Sequence, residues 1–158
     1  MLRVILTVSV FVGVALIFAG YVAHDGVPLT AVSYTSVASG DVSGIGLQRF
    51  EVINDPATFR GLWTSLVTAS GAMPHMPEVD FSHETVIALF LGRHHGGYSF
   101  EVSGIRDNGQ TSEVDLKVRR PRAGCPDRGP RITPFQIVRT RKLNHLVSFR
   151  LHIRPFSC

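Results

Sequence analysis

Residues 79–119 read VDFSHETVIALFLGRHHGGYSFEVSGIRDNGQTSEVDLKVR. Thr85 to Leu91 is an apolar run of strand length, which suits a central strand covered on both faces. Gly92-Arg93-His94-His95-Gly96-Gly97 then turns the chain, and paired glycines permit the positive φ of a tight or bulged hairpin. Tyr98, Phe100 and Val102 alternate with Ser99, Glu101 and Ser103. Val114, Leu116 and Val118 alternate with Glu113, Asp115, Lys117 and Arg119. Asp107-Asn108-Gly109 between them is a hairpin signal, so these segments are expected to form an antiparallel pair with the apolar side inward.

Working back from this nucleus, Gln48 to Ile53 is a short strand. Asp55 and Pro56 open a helix as N-cap and first-turn proline. Phe59, Leu62, Trp63, Leu66 and Val67 make one apolar stripe on it, and Gly71 can end it. Trp63 on that stripe reads as core. Ala72 to Val79, with Pro74 and Pro77, is a loop. Working forward, Arg119 to Thr133 holds five Arg and three Pro, which reads as a long loop. Phe135 to Thr140 resumes a strand. Val147, Phe149, Leu151 and Ile153 then alternate with Ser148, Arg150, His152 and Arg154. At least six strands and one helix result. The expected fold is mainly β, of the α+β kind: an antiparallel sheet folded as a small sandwich or barrel with one covering helix, preceded by an N-terminal hydrophobic helix.

Three regions follow: 1–23, 24–46 and 47–158. Val4 to Ala23 carries no charge and is long enough to cross the ~30 Å hydrocarbon core. Arg3 before it also fits the basic start of a signal peptide. A small-x-small cleavage site is missing at Ala19 and Ala23, so residues 1–23 read as an uncleaved anchor, with a cleaved signal as the alternative. The expected location is the cell membrane, single-pass with the domain extracytoplasmic, or else secreted or periplasmic. His24 to Gly46 is small and polar and reads as a flexible linker, whose last part, Val42 to Gly46, can pair as an edge or line the domain.

The chain has 158 residues and a net charge of +4, and Lys117 to Cys158 holds 11 of its 16 Lys and Arg but only one acid. That polarity gives either a basic contact face, with Arg120, Arg122, Arg128 and Arg131 at its centre, or simply a solvated one. Nucleic acid fits poorly, because the loop lacks interleaved aromatics for base stacking and the start points to export. No nucleophile elbow, phosphate-cradling loop or Cys/His nucleophile signature occurs, and no cofactor motif. His94-His95 invites a metal reading, but neighbours on a strand face opposite ways and no ligand spacing supports it. An enzyme would have to be a hydrolase or metal site built from Glu78, Asp80, His94 and His95. Cys125 and Cys158 can pair in an exported domain, closing about 34 residues for ~3 kcal/mol. They can equally stay free thiols.

Val79-Asp80-Phe81, the apolar strand ending at Gly92, Gly96-Gly97-Tyr98 and Thr133-Pro134-Phe135-Gln136-Ile137-Val138 together resemble the PrcB C-terminal domain family, named for the accessory subunit of a bacterial surface protease complex. The resemblance covers roughly Leu47 to Phe149. His94-His95 stands where the family usually has Pro and a small polar residue. The resemblance implies a non-enzymatic domain that binds and stabilises a partner protease, with Gly96, Gly97, Tyr98, Thr133, Pro134 and Phe135 as candidate contact residues beside the basic loop. A second similarity is to chagasin-type inhibitors of cysteine proteases, through Gly97-Tyr98 and Arg154-Pro155-Phe156.

Overall fold

The run that nucleates the sequence reading becomes a strand with no face turned to water. In the computed structural model, which describes residues 27–71, 75–126 and 129–158, every residue from Thr85 to Phe90 is 0% exposed. These residues lie in β4 (Glu84–Phe90). Its neighbours are β3 (Arg49–Ile53) and β7 (Phe135–Arg141), and β2 (Tyr34–Gly40) lies beyond β7, so the sheet order is β2-β7-β4-β3, all antiparallel. A second sheet has the order β1-β5-β6-β8, from β1 (Thr30–Val32), β5 (Ser99–Asp107), β6 (Thr111–Pro121) and β8 (Leu146–Phe156).

Three layers follow from how β4 alternates. Val86, Ala88 and Phe90 point to one side and pack with Phe59, Leu62, Trp63 and Leu66 of α1 (Pro56–Ser70). Ile87 and Leu89 point to the other, against Val102, Ile105, Val114 and Leu116 of the second sheet. The helix begins where the sequence signals it, with the Asp55 carboxylate accepting the Thr58 N–H at 2.8 Å. It ends at Gly71, whose N–H bonds to the Val67 carbonyl at 3.0 Å. Val67 sits at the rim of the stripe and is 41% exposed, so four of the five stripe residues make the buried face.

All six strands read from the sequence are present, and the mainly β sandwich with one helix on its outer face is the observed architecture. Four readings are corrected. The span 24–46 is not linker throughout, because β1 and β2 fall inside it. Their short, polar Thr/Ser-rich sequence is what edge strands tolerate, since only one side and part of one face are covered. Residues 92–97 are not a hairpin turn, because β4 and β5 belong to different sheets and the segment crosses between them. The basic loop starts later than Arg119, since β6 runs on through Pro121. Finally, the pairing is not purely antiparallel. β6 and β8 are parallel, in register from Thr111↔Leu146 to Pro121↔Phe156, because β7 is inserted in the other sheet between them. The N-terminal hydrophobic helix expected over 1–23 lies outside the described residues. Among the described residues no helix is long and apolar enough to cross a membrane.

One buried polar cluster ties the sheets together at the β5–β6 hairpin. The Asp107 side chain is fully buried and accepts from the Gly109 N–H at 2.8 Å. It also pairs with Arg141 at the end of β7 and with His145 Nε2 at 2.8 Å. Burial opposes ionisation of this carboxyl, but the Gly109 bond and the charges of Arg141 and His145 outweigh it and hold the group below its usual range. A depressed carboxyl contributes stability above about pH 4, and that contribution is lost as pH falls through the folded-state value. We expect Asp107→Asn to cost on the order of 2–4 kcal/mol at pH 7. Urea unfolding at pH 3 and pH 7 checks this, and the variant is expected to lose less stability between the two than the wild type.

Candidate functional site

The candidate site grows out of the way the chain leaves β4. Leu91 N–H bonds to the Pro134 carbonyl at 3.0 Å, Arg93 N–H to the Gly46 carbonyl at 3.0 Å, and His94 and Ile132 exchange two bonds at 2.9 and 2.8 Å. These bonds tie the first half of the crossover, Leu91 to His94, to both neighbouring segments. Gly92 has φ +87°, and a Cβ there would sit 2.9 Å from Gln48 N and 3.0 Å from Leu47 C. Glycine is required on both counts. In the following pair only Gly97 takes a positive φ, +97°. A Cβ on it would meet the Pro121 ring at 3.2 Å and the Phe156 ring at 3.8 Å. The crossover therefore lies directly on the paired ends of β6 and β8. His94 stacks on Tyr98, with ring centroids 4.3 Å apart and planes 16° from parallel.

Beyond Pro121 the β6–β8 ladder is extended by one bond, Arg122 N–H to the Phe156 carbonyl at 3.0 Å. The chain then turns, with Cys125 N–H on the Arg122 carbonyl at 3.1 Å. Cys125 is joined to Cys158 by a disulfide with a Cα–Cα distance of 5.6 Å. The turn and the crossover enclose a cleft of about 320 Å³. His95, Gly96 and Tyr98 line one side, and Arg120, Pro121, Arg122 and Ala123 to Pro126 the other. Arg120 and Arg122 are exposed there. Just outside, the Arg119 guanidinium lies 5.6 Å above the Phe156 ring, and Arg119 is in register with Arg154. Four cations thus gather at one end of the second sheet around an aromatic and disulfide frame.

Of the contact residues expected from the sequence, Gly96, Tyr98, Arg120 and Arg122 share this cleft, and Gly97 packs against its wall at Pro121. Arg131 is exposed but does not line it. Arg128 lies outside the described residues. Thr133, Pro134 and Phe135 do not line this cleft, and Pro134 and Phe135 border a separate hollow beside Gly40 and Phe100. Thr133 Oγ1 accepts from the Ser43 and Gly44 N–H groups at 2.9 and 3.1 Å. Pro134 and Phe135 are buried, and the Phe135 ring stacks on Phe90 and fills the space beside Gly40. The sequence reading missed Pro121 and Phe156 as the platform under Gly97. Only the parallel β6–β8 register brings them together, and no local pattern announces it.

The residues for acid–base chemistry are arranged differently. Asp80, Ser82 and His83 have the composition of a triad, but Ser82 Oγ and Asp80 Oδ2 both reach the same ring nitrogen, His83 Nδ1, at 2.8 Å. A relay needs the two partners on opposite nitrogens. The Asp80 carboxyl is held at about 2 by the Ser82 hydroxyl first and by His83 second, which is the signature of a turn carboxylate. Ser112 Oγ and Asp107 likewise converge on one nitrogen, Nε2 of His145. Among the described residues no group of three or more His, Cys, Asp or Glu is placed to hold a metal ion. A separate hollow of about 430 Å³ is lined by Phe59, Arg60, Glu78, Asp80 and Phe81 among others. No protein family, curated protein or solved structure matches the chain.

The disulfide closes a sequence separation of 33 residues, which the chain-entropy relation values at about 3–4 kcal/mol. Cys125→Ser with Cys158→Ser is expected to lower stability by up to that amount. Trypsin should then cut within residues 119–131 at a markedly higher rate while the helix and first sheet stay protected. Mapping the fragments by mass spectrometry checks this.

Proposed function

We propose that this chain is a non-enzymatic, extracytoplasmic protein-interaction domain whose contact surface is the basic cleft between Gly96–Tyr98 and residues 120–126. On this reading the 1–23 segment holds it at the membrane, or directs it across before cleavage, and the partner is a protease of the cell envelope. The observation that carries the proposal is the cleft itself. Two exposed arginines, Arg120 and Arg122, and a stacked Tyr98 are presented on a frame made rigid by the Cys125–Cys158 bridge, the Pro121–Phe156 platform and the crossover bonds. Pre-ordered cations and aromatics lose little entropy on contact and are the side chains that dominate interface energies. The protease partner rests on the resemblance to the PrcB C-terminal domain family.

A photo-crosslinking residue in place of Tyr98 is expected to trap a defined envelope protein, whereas the same residue in place of Thr64, on the exposed helix face, traps none. Arg120→Glu with Arg122→Glu should cut the yield about tenfold or more, since two reversed rim charges at up to ~1 kcal/mol each reach that factor. Equal labelling from Tyr98 and Thr64 would sink the proposal.

One geometric fact favours a second reading, a chagasin-type inhibitor of cysteine proteases. Gly97 and Phe156 are in near contact, so Gly97-Tyr98 and Arg154-Pro155-Phe156 lie at the same end of the molecule. Against it, the latter residues belong to β8 rather than to a free loop, and the Phe156 carbonyl is bonded to Arg122. Titrating papain with the full chain decides between the readings: the interaction-domain reading predicts undiminished papain activity at a stoichiometric excess.

A further inference from the structure

Among the described residues β8 has a strand neighbour on one side only, β6, and its other edge is unpaired over eleven residues. The direction of its backbone groups can be worked out. The Phe156 carbonyl accepts the Arg122 N–H, so Phe156 turns its peptide groups toward β6. Residues two apart along a strand share that direction, and the intervening ones point the opposite way. Val147, Phe149, Leu151, Ile153 and Pro155 therefore turn outward. Pro155 then has its missing N–H on the free side, which is where a strand tolerates proline. The side chains divide in step. Val147 and Phe149 pack into the inter-sheet core, Phe149 against Phe50 at 5.2 Å, but Leu151 and Ile153 are 37% and 49% exposed. On the opposite face stand Arg150, His152 and Arg154. Glu113 and Asp115 of β6 engage the first two at 2.6 and 2.8 Å. Arg154 lies beside Arg119, and neither has an ion-pair partner among the described residues.

From this we infer that the free edge of β8 binds an extended acidic segment of a partner protein by strand addition, with apolar residues over Leu151 and Ile153 and a carboxylate beside Arg154, the cation of this face of β8 that the β6 acids do not engage. Main-chain bonds supply affinity in this mode and the alternating side chains supply selectivity. Charge complementarity chooses the occupant. A second copy paired antiparallel about His152 would set Arg150 of each chain against Arg154 of the other, and parallel pairing would set each cation against itself. A polyanion without a strand backbone would leave the outward N–H groups and both apolar side chains unused. The inference uses different residues from the cleft and does not rest on it.

The test is fluorescence anisotropy with three labelled decapeptides titrated into the full chain. One alternates Val and Glu, one alternates Val and Lys, and one is the Val/Glu peptide with proline at every third position. The Val/Glu peptide is expected to bind at least about tenfold more tightly than either control, the spread that a few edge bonds or charge pairs give. Its binding should slow amide hydrogen exchange at Val147, Phe149, Leu151 and Ile153. Leu151→Pro deletes one outward donor without touching the β6 ladder, and should weaken binding. Arg154→Glu should shift preference toward the Val/Lys peptide, and it keeps the test decisive if the proline variant does not fold. Equal binding of the proline-bearing peptide, unchanged exchange at the four amides, or self-association that protects them without peptide would each overturn the inference. So would binding abolished by Arg120→Glu with Arg122→Glu yet unaffected by the β8 variants, a result that would assign the peptide to the cleft. Edge binding that survives the cleft variant, with no photo-crosslink from Tyr98, overturns the cleft reading alone.

Discussion

The double burial of β4 is the constraint on which the rest of the molecule depends. Burying a large apolar side chain contributes roughly 1.5–3 kcal/mol, and β4 presents such side chains alternately to α1 and to the second sheet. A strand covered on both faces cannot leave its sheet through loosely held loops, because its terminal polar groups are also out of water. At one end Thr85 Oγ1 donates to Asn54 Oδ1 at 2.6 Å and accepts the Leu143 N–H at 3.0 Å. At the other the crossover bonds to Pro134, Gly46 and Ile132. The cleft inherits its rigidity from these exits.

The sandwich also satisfies its own irregularities across layers. β5 carries a bulge between Val102 and Gly104, which withdraws backbone groups from the β6 ladder. The Val102 N–H donates to Gln136 Oε1 at 2.7 Å, and its carbonyl accepts from the Tyr34 hydroxyl at 2.8 Å, both side chains coming from the facing sheet. These two bonds form a polar bolt between β5, beside its bulge, and the β2–β7 pair. The Asp107 cluster does the same at the hairpin end.

Charge is sorted by the same architecture. The positive excess of residues 117–158 is spread along the sequence but not over the surface. Glu113 and Asp115 stand midway along β6, where the parallel register brings Arg150 and His152 to them, and Arg106 joins from β5. The bond from His152 is the largest influence lowering the Asp115 carboxyl; burial opposes it and Arg106 reinforces it. Exposed pairs of this kind add little stability, but they neutralise the middle of the sheet. Beyond them β6 and β8 carry Arg119, Arg120 and Arg154, and the loop adds Arg122. The basic end is therefore a product of where the two acids fall.

The amino-acid sequence by itself determined the elements whose causes are local. The 3.6-residue stripe with Asp55 and Gly71 at its ends made α1, the uninterrupted Thr85–Leu91 run made a doubly covered strand, and Asn108-Gly109 closed the β5–β6 hairpin. It also marked Gly96, Tyr98, Arg120 and Arg122, residues that share one cleft. What it did not carry were relations between distant segments. The polar strands β1 and β2 acquire their conformation only from edges supplied by β5 and β7, so their own pattern resembled a tether. Thr133, Pro134 and Phe135 stood out as a motif, but whether a motif faces solvent or core is fixed by packing. The parallel β6–β8 register, which sets Gly97 on Pro121 and Phe156 and leaves one long edge free among the described residues, was decided by the tertiary structure alone. Strand pairing is a contest among long-range partners, and its outcome depends on which faces the two cores need to cover.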